Sequence, residues 1–176
     1  MPFIELPIVL LAMAVPVHPQ AQSSVPQTKI LDLVYRVEDM GGKVQDLEVK
    51  ETATEVRIDL SADVLFDFDK SVLLPKAQQT LSQAAGLIHD KAKGTVRIDG
   101  YTDAKGSETY NQRLSERRAV AVETWFKTRG NLQSVSFVTR GFGAKNPVAA
   151  NTKPDGSDDP DGRQKNRRVE ITITKS

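Results

Sequence analysis

The stretch IDGYTDAKGSETYNQRLSERR, residues 98–118, predicts a strand, a loop and a helix in immediate succession. The strand runs into Gly100, and the loop after it carries Thr102 and Asp103. A helix then begins near Ser107. This order places polar side chains at a strand exit and beside a helix N-terminus, where free backbone amides favour anions.

Arg118 occupies a position on this helix where an apolar side chain is expected. With Leu114 as the reference and about 100° per residue, Arg118 lies about 40° away, inside the stripe that includes Ala121 and Trp125. Burying an unpaired guanidinium is costly, so Arg118 needs an anionic partner. Two interpretations stay open: a structural ion pair with Asp103 or another carboxylate, or a site for a ligand that carries both charges.

Five motifs, in this order, resemble those of one protein family: FDFDKS at 66–71, IDGYTDAKG at 98–106, YNQRLSERRAVAV at 110–122, GFGAKNPVAAN at 141–151 and GRQKNRRVEI at 162–171. The run from Val64 to Lys175 is similar to the OmpA-like C-terminal domain, the peptidoglycan-associating module of Gram-negative envelope proteins. The resemblance implies non-covalent anchoring of an envelope component to the cell wall. It also implies a periplasmic or outer-membrane-associated localisation.

The resemblance further implies which residues bind the ligand. In that family, the aspartate of the strand-exit TD and the second arginine of LSxRR bind the diaminopimelate residue of the peptidoglycan stem peptide. Those positions are Asp103 and Arg118 here. Other positions match the lining or the rim of the family's site: Thr102, Asn111, Leu114, Arg167 and Asp69. The chain has Tyr101 where the family often has His, and we expect an aromatic ring to pack there and binding to be retained.

Composition narrows the function classes. The net charge of +1 and the even mixture of signs argue against a dedicated nucleic-acid partner. The sequence has no Cys and two His, so we expect no zinc site and no cofactor. In the ligand-binding interpretation, Arg118 would keep Asp103 ionised, the opposite of what a general acid needs, so we expect a binding protein and not an enzyme. The alternative is a structural or assembly subunit of the envelope in which Asp103 and Arg118 form only a stabilising ion pair.

Four segments are expected along the chain. Residues 1–22 are typical of a secretion-signal leader, because their apolar run is too short for a comfortable transmembrane helix. Residues 23–29 are expected to form a flexible tether, and residues 30–62 a β-rich extension. The extension either adds strands to the sheet or contacts another envelope protein. Residues 63–176 form the OmpA-like domain.

Alternating strands and helices predict an α+β fold, βαβαββ in order, with a mixed sheet backed by two helices and an extra N-terminal β-hairpin region. Alternating apolar residues place strands at 64–68, 96–98, 135–137 and 169–173, after a hairpin at 44–60. The first helix is expected to start within Ser71 to Pro75, with a buried stripe of Ala77, Leu81, Ala84 and Ile88, and the second spans about 107–127. The acidic stretch at 151–162 is expected to be a solvated loop, because it lacks the glycine and glutamate of a calcium loop.

Overall fold

The computed structural model describes residues 33–35 and 47–175. In chain order the elements are β1 (Leu33–Tyr35), β2 (Leu47–Glu51), β3 (Glu55–Ser61), α1 (Ala62–Leu65), α2 (Ala77–Lys91), β4 (Val96–Gly100), α3 (Glu108–Thr128), β5 (Phe137–Gly141), α4 (Pro160–Asn166) and β6 (Arg168–Thr174). Within the described residues the strands form one sheet in the order β1-β2-β3-β6-β4-β5. β4 and β5 are parallel and the other neighbours are antiparallel. The predicted α+β fold with a mixed sheet is therefore confirmed, whereas the leader and the tether lie outside the described residues.

The predicted N-terminal hairpin is confirmed in β2 and β3, and it is part of the main sheet. Its turn is closed by Thr52, whose Oγ1 accepts a hydrogen bond from the backbone N of Glu55 at 3.0 Å. β3 then pairs with β6 along its whole length. Val56 and Ile58 of this strand are completely buried. The second strand of the hairpin therefore contributes directly to the core and leads the chain toward the candidate site.

The strand predicted at 64–68 is wrong. Residues 62–65 form a single helical turn, α1. The buried side chains are Ala62, Leu65 and Phe66, whose spacing of three and four residues is helical. Phe68 is 87% exposed, so the two phenylalanines that suggested alternation do not share a face. The strand of this region is instead β3, immediately before α1.

The two long helices are confirmed, although α2 begins at Ala77, after the segment at 71–75 where its start was predicted. All four predicted stripe residues of α2 are completely buried. α3 begins at Glu108 after the N-cap Ser107, whose Oγ accepts from the backbone N of Tyr110 at 3.2 Å. This cap satisfies one of the free amides of the first turn. The chain enters α3 directly from the loop that carries the candidate site residues.

Two glycines set the distance between α3 and the strand ends. A Cβ at Gly100 would lie 2.2 Å from the backbone O of Ser115, and one at Gly141 would lie 2.5 Å from the backbone N of Glu116. Any larger residue at these positions would push the helix away from the sheet. The glycines therefore hold α3 against the carboxyl ends of β4 and β5.

Two C-terminal features differ from the prediction. β5 begins at Phe137, the last residue of the strand predicted at 135–137. The loop predicted at 151–162 ends in α4, because Asp159 caps this short helix by accepting from the backbone N of Gly162 at 3.0 Å. α4 carries Arg163 toward the candidate site and leads directly into Arg167, so its position matters for function.

Candidate functional site

A cleft of about 390 Å³ opens where β4 ends and α3 begins. Its walls come from α1, the loop at 66–76, the loop after β4, the first turns of α3, and α4 with the residue after it. The residues proposed from the sequence all line it: Asp69, Thr102, Asp103, Asn111, Leu114, Arg118 and Arg167. Four lining residues that the sequence reasoning had not assigned to the site are also prominent: Asp63, Phe66, Tyr110 and Arg163.

Arg118 is buried in this cleft without an acidic partner among the described residues. Only 4% of the residue is exposed. Its Nε donates to the backbone O of Lys70 at 2.9 Å, and its guanidinium carbon lies 5.2 Å from the centre of the Phe66 ring. Burial lowers the pKa of Arg118, and the charge of nearby Asp63 opposes that shift. Within the described part of the chain, its two terminal nitrogens have no hydrogen-bond acceptor, so they remain able to bind an anion.

Asp103 pairs with two other arginines and not with Arg118. Its Oδ2 lies 2.8 Å from Nη1 of Arg167 and 3.4 Å from Nη1 of Arg163. Its Oδ1 accepts from the backbone N of Lys105 at 2.9 Å. Of the two interpretations left open by the sequence, the structural Asp103–Arg118 ion pair is therefore not formed. The physical reason is α4, an unpredicted helix that brings Arg163, and Arg167 directly after it, to this carboxylate.

Asp63 holds Arg167 from the opposite side. Nε of Arg167 donates to Oδ1 of Asp63 at 2.9 Å, and Nη2 donates to Oδ2 at 2.7 Å. This is the bidentate geometry that favours arginine over lysine. The hydrogen bonds to Asp63 are the main reason why the pKa of Arg167 is raised. Sequence reasoning missed Asp63 because the helical turn that directs it into the cleft was interpreted as a strand.

The loop after β4 is fixed by amide and hydroxyl groups. Nδ2 of Asn111 donates to the backbone O of Lys105 at 2.9 Å and to that of Asp103 at 3.4 Å. Oγ1 of Thr102 donates to the same Asp103 oxygen at 3.0 Å. Leu114 is 5% exposed and adds an apolar wall. These contacts hold the backbone of the loop in place, so the Asp103 carboxylate is presented from a fixed position.

A hydrogen bond crosses the rim of the cleft. The hydroxyl of Tyr110 donates to Oδ1 of Asp69, which raises the pKa of Tyr110. Asp69 has φ 61°, a left-handed conformation that Asp tolerates better than most residues. Phe68, beside it, projects its ring into solvent at the mouth. The rim therefore joins the loop at 66–76 to the start of α3.

Tyr101 does not line the cleft. Its ring stacks on Phe142 with 5.2 Å between centroids, and the guanidinium carbon of Arg168 lies 3.8 Å from the centre of the Tyr101 ring. Burial is the main reason why the pKa of Tyr101 is raised to about 12. The expected aromatic packing is confirmed, and Tyr101 stabilises the structure next to the site.

The described residues hold no group of three or more His, Asp or Glu side chains arranged to bind a metal ion. None of the described helices combines the length and the apolar character needed to cross a bilayer. The cleft offers one guanidinium, that of Arg118, without an ion-pair partner among the described residues, together with carboxylates such as Asp63 and Asp103 that are paired with arginines.

Fold and site together define an OmpA-like domain. The family model described as the OmpA family matches residues 65–159, which is more than half of the chain. The protein therefore belongs to the OmpA family. Members of this class are periplasmic or outer-membrane associated in the Gram-negative envelope, and that is the location of this protein.

The chain is similar to the following individual proteins. Photosystem I P700 chlorophyll a apoprotein A2 from Gloeobacter violaceus is 42% identical over 136 residues, 77% of this chain and 16% of that protein. Outer membrane protein A from Bordetella avium is 37% identical over 132 residues, 75% of this chain and 64% of that protein. This chain therefore spans less than two thirds of the length of these two relatives. The solved cell wall anchor of the T6SS from Pseudomonas aeruginosa has 27% identity and a TM-score of 0.61, over 75% of this chain and 90% of that one.

Proposed function

We propose that this domain binds peptidoglycan non-covalently through the diaminopimelate residue of the stem peptide, and so anchors an envelope component to the cell wall. The observation that carries the proposal is the state of Arg118. It is 4% exposed, no carboxylate of the described residues pairs with it, and its terminal nitrogens border an open cleft. A buried guanidinium in this state is stabilised by an anionic ligand.

Diaminopimelate offers both charges that the cleft can complement. Its free end carries an ammonium and a carboxylate on one stereocentre. Arg118 donates to the carboxylate in a bidentate fork through its terminal nitrogens. Asp103 accepts from the ammonium while keeping its bond to Arg167, because a carboxylate has about four acceptor positions. Asn111, Thr102 and Leu114 shape the space between the two charges.

Affinity for a single stem peptide is expected to be moderate. Hydrogen bonds to charged groups contribute about 1.5–3 kcal/mol each. Part of this gain offsets the loss of ligand freedom and the removal of water from both charges. Peptidoglycan repeats its stem peptide many times, so several domains on one assembly would be retained by avidity.

The site is suited to binding and not to catalysis. Asp103 already accepts from Arg167, Arg163 and a backbone amide, so it is engaged as an acceptor and is not positioned as a general acid. The second interpretation, an assembly subunit with a structural Asp103–Arg118 pair, lacks that pair in the structure. Contact with other envelope proteins through residues 30–62 stays a prediction, and it would have to use surfaces that the sheet leaves free.

Co-sedimentation with insoluble peptidoglycan of the diaminopimelate type tests the proposal. The wild-type chain should pellet with it, and Arg118→Ala or Asp103→Ala should stay in the supernatant while keeping a cooperative thermal transition. Arg113→Ala is the matched control, because this exposed arginine lies on the same helix but outside the cleft. Equal pelleting of the wild type and all three variants would count against a diaminopimelate site.

A further inference from the structure

We propose that Asp63 is a positioning residue that gives the ammonium end of the cleft its negative charge, acting through Arg167. The inference rests on the proposed binding of diaminopimelate and deepens it. In this role Asp63 affects ligand binding without contacting the ligand.

The geometry is a chain of three charges. Arg167 lies between Asp63 and Asp103. It donates hydrogen bonds from Nε and Nη2 to Asp63 and from Nη1 to Asp103, the last at 2.8 Å. The side chain of Asp103 is 11% exposed and that of Arg167 is 21% exposed, so solvent screens their interaction only partly. A change in the position of Arg167 would therefore change the electrostatic potential at the Asp103 carboxylate.

Counting charges explains why Asp63 matters. Two carboxylates and one guanidinium leave one net negative charge on the chain of three. Arg163 does not cancel it, because Arg163 is itself paired with Asp158 through bonds of 2.8 and 2.5 Å. Without Asp63, the positive charge of Arg167 would cancel the negative charge of Asp103. The ammonium of the ligand would then bind beside an ion pair with no net charge.

Arg118 has a different set of contacts. Its Nε donates to a backbone oxygen and its guanidinium lies over an aromatic ring, but no carboxylate of the described residues pairs with it, although the charge of Asp63 acts on it. The cleft therefore combines one guanidinium without an ion pair and a chain of Asp63, Arg167 and Asp103 that carries one net negative charge. This arrangement matches a zwitterion better than it matches a ligand of either single charge.

A purely structural role for Asp63 makes a different prediction. If the Asp63–Arg167 pair only fastened α1 to the residue after α4, its loss would loosen the whole cleft. All ligands would then lose affinity by a similar factor. Selectivity among ligands, and not affinity alone, separates the two roles.

Three synthetic stem peptides provide that readout in calorimetric titrations of the full chain. The third residue is diaminopimelate in the first, L-lysine in the second, which keeps the ammonium alone, and 2-aminopimelate in the third, which keeps the carboxylate alone. Asp63→Asn should weaken the first two about tenfold and leave the third unchanged or tighter. Asp63→Glu should retain the wild-type order, because it keeps the charge.

Two further variants sharpen the test. Asp155→Asn removes the same charge from an exposed residue that lies outside the cleft and is not among the hydrogen-bond partners of Arg167, so it should leave the order of the three ligands unchanged. The double variant Asp63→Asn/Arg167→Gln leaves Asp103 with one uncancelled negative charge. It should restore preference for ligands with an ammonium. If the Asp63–Arg167 pair were only structural, the double variant would instead bind all three peptides no better than Asp63→Asn does.

The outcomes for the inference and for the function are distinguishable. If the wild type does not bind the diaminopimelate peptide, the proposed function fails. If it binds, but Asp63→Asn weakens all three ligands equally or changes none of them, the inference is overturned and the function stands. Should Asp63→Asn fail to fold, Arg167→Gln carries the test: two uncancelled carboxylates should raise affinity for the lysine peptide relative to the 2-aminopimelate peptide, and a fall in that ratio would overturn the inference.

Discussion

Arg167 donates to Asp103 at 2.8 Å and at the same time holds Asp63 in a bidentate pair. Because both carboxylates pair with Arg167, Arg118 contacts only neutral groups in the described part of the chain: it donates to the backbone oxygen of Lys70 and lies over the ring of Phe66. Arg118 consequently has no ion-pair partner among the described residues, whereas the two carboxylates share Arg167. A buried guanidinium without an ion pair is less favourable for the empty protein than a closed pair, and it is the property that a charged ligand can use.

Replacing Arg118 by methionine should stabilise the empty protein and abolish binding. Methionine fills a similar space in the apolar stripe without burying a charge. Replacement of buried charges by apolar side chains is often stabilising, and after the loss of one hydrogen bond we expect a gain of about 1 kcal/mol. Urea denaturation measures the change.

Arg117→Met is the matched control for this variant, because Arg117 is exposed on the same helix. It should leave the free energy of unfolding within about 0.5 kcal/mol of the wild type. A marked loss of stability in Arg118→Met would mean that the guanidinium serves the fold, contrary to the proposal.

Gly100→Ala should destabilise the protein. Its Cβ would lie 2.2 Å from the backbone O of Ser115, so α3 must move away from β4. We expect a loss of about 1–3 kcal/mol in the free energy of unfolding, together with weaker ligand binding. Gly86→Ala is the control: it lies within α2 with nothing within 4 Å of the new Cβ, and it should gain about 0.8 kcal/mol. Equal stability of the two variants would contradict the close approach.

The local parts of this architecture could be predicted from the sequence. The position of Arg118 among apolar residues follows from helical periodicity alone, and the structure places it there at 4% exposure. The buried stripe of α2 and the start of α3 follow from the same local rule. The strand at 64–68 failed because one turn of helix is too short for periodicity to distinguish it from a strand.

The partners of the charges could not be predicted in this way. Arg167 and Asp63 are 104 positions apart in the sequence, and Arg118 lies 48 positions from the carbonyl that receives its Nε. Which carboxylate meets which guanidinium depends on how α1 and α4 pack around the cleft. For this reason the sequence could only leave open whether Asp103 pairs with Arg118, and it did not indicate Arg163 or Arg167 as its partners.

Stability should fall at alkaline pH through Tyr101. Its pKa is raised from 10.0 to about 12, so the native state keeps a proton that the unfolded state has lost. The stabilisation is complete below pH 10.0 and is lost as the pH rises toward about 12, with a slope of at most about 1.4 kcal/mol per pH unit. Urea denaturation at about pH 9 and about pH 11 should show a smaller fall for Tyr101→Phe than for the wild type. Identical falls would mean that Tyr101 titrates normally.

Asp159→Ala should weaken ligand binding from a distance. Asp159 caps α4 by accepting from the backbone N of Gly162, and loss of such a cap costs about 1 kcal/mol. Because α4 carries Arg163 and leads into Arg167, its fraying should disturb both partners of Asp103. Asp155→Ala is the control, since Asp155 accepts only from Ser157 within its own turn. Calorimetric titration with the diaminopimelate peptide compares the two variants, and equal affinity would show that the cap does not support the site.

The most direct test observes the guanidinium of Arg118 itself. Nitrogen-15 NMR of arginine side chains, recorded while the full chain is titrated with a diaminopimelate stem peptide, reports on each nitrogen separately. The terminal nitrogens of Arg118 should shift and become slow to exchange as the carboxylate binds. Its Nε, already bonded to Lys70, should change little. If the peptide binds while the terminal nitrogens of Arg118 do not respond, the ligand is held elsewhere and the account of this cleft is wrong.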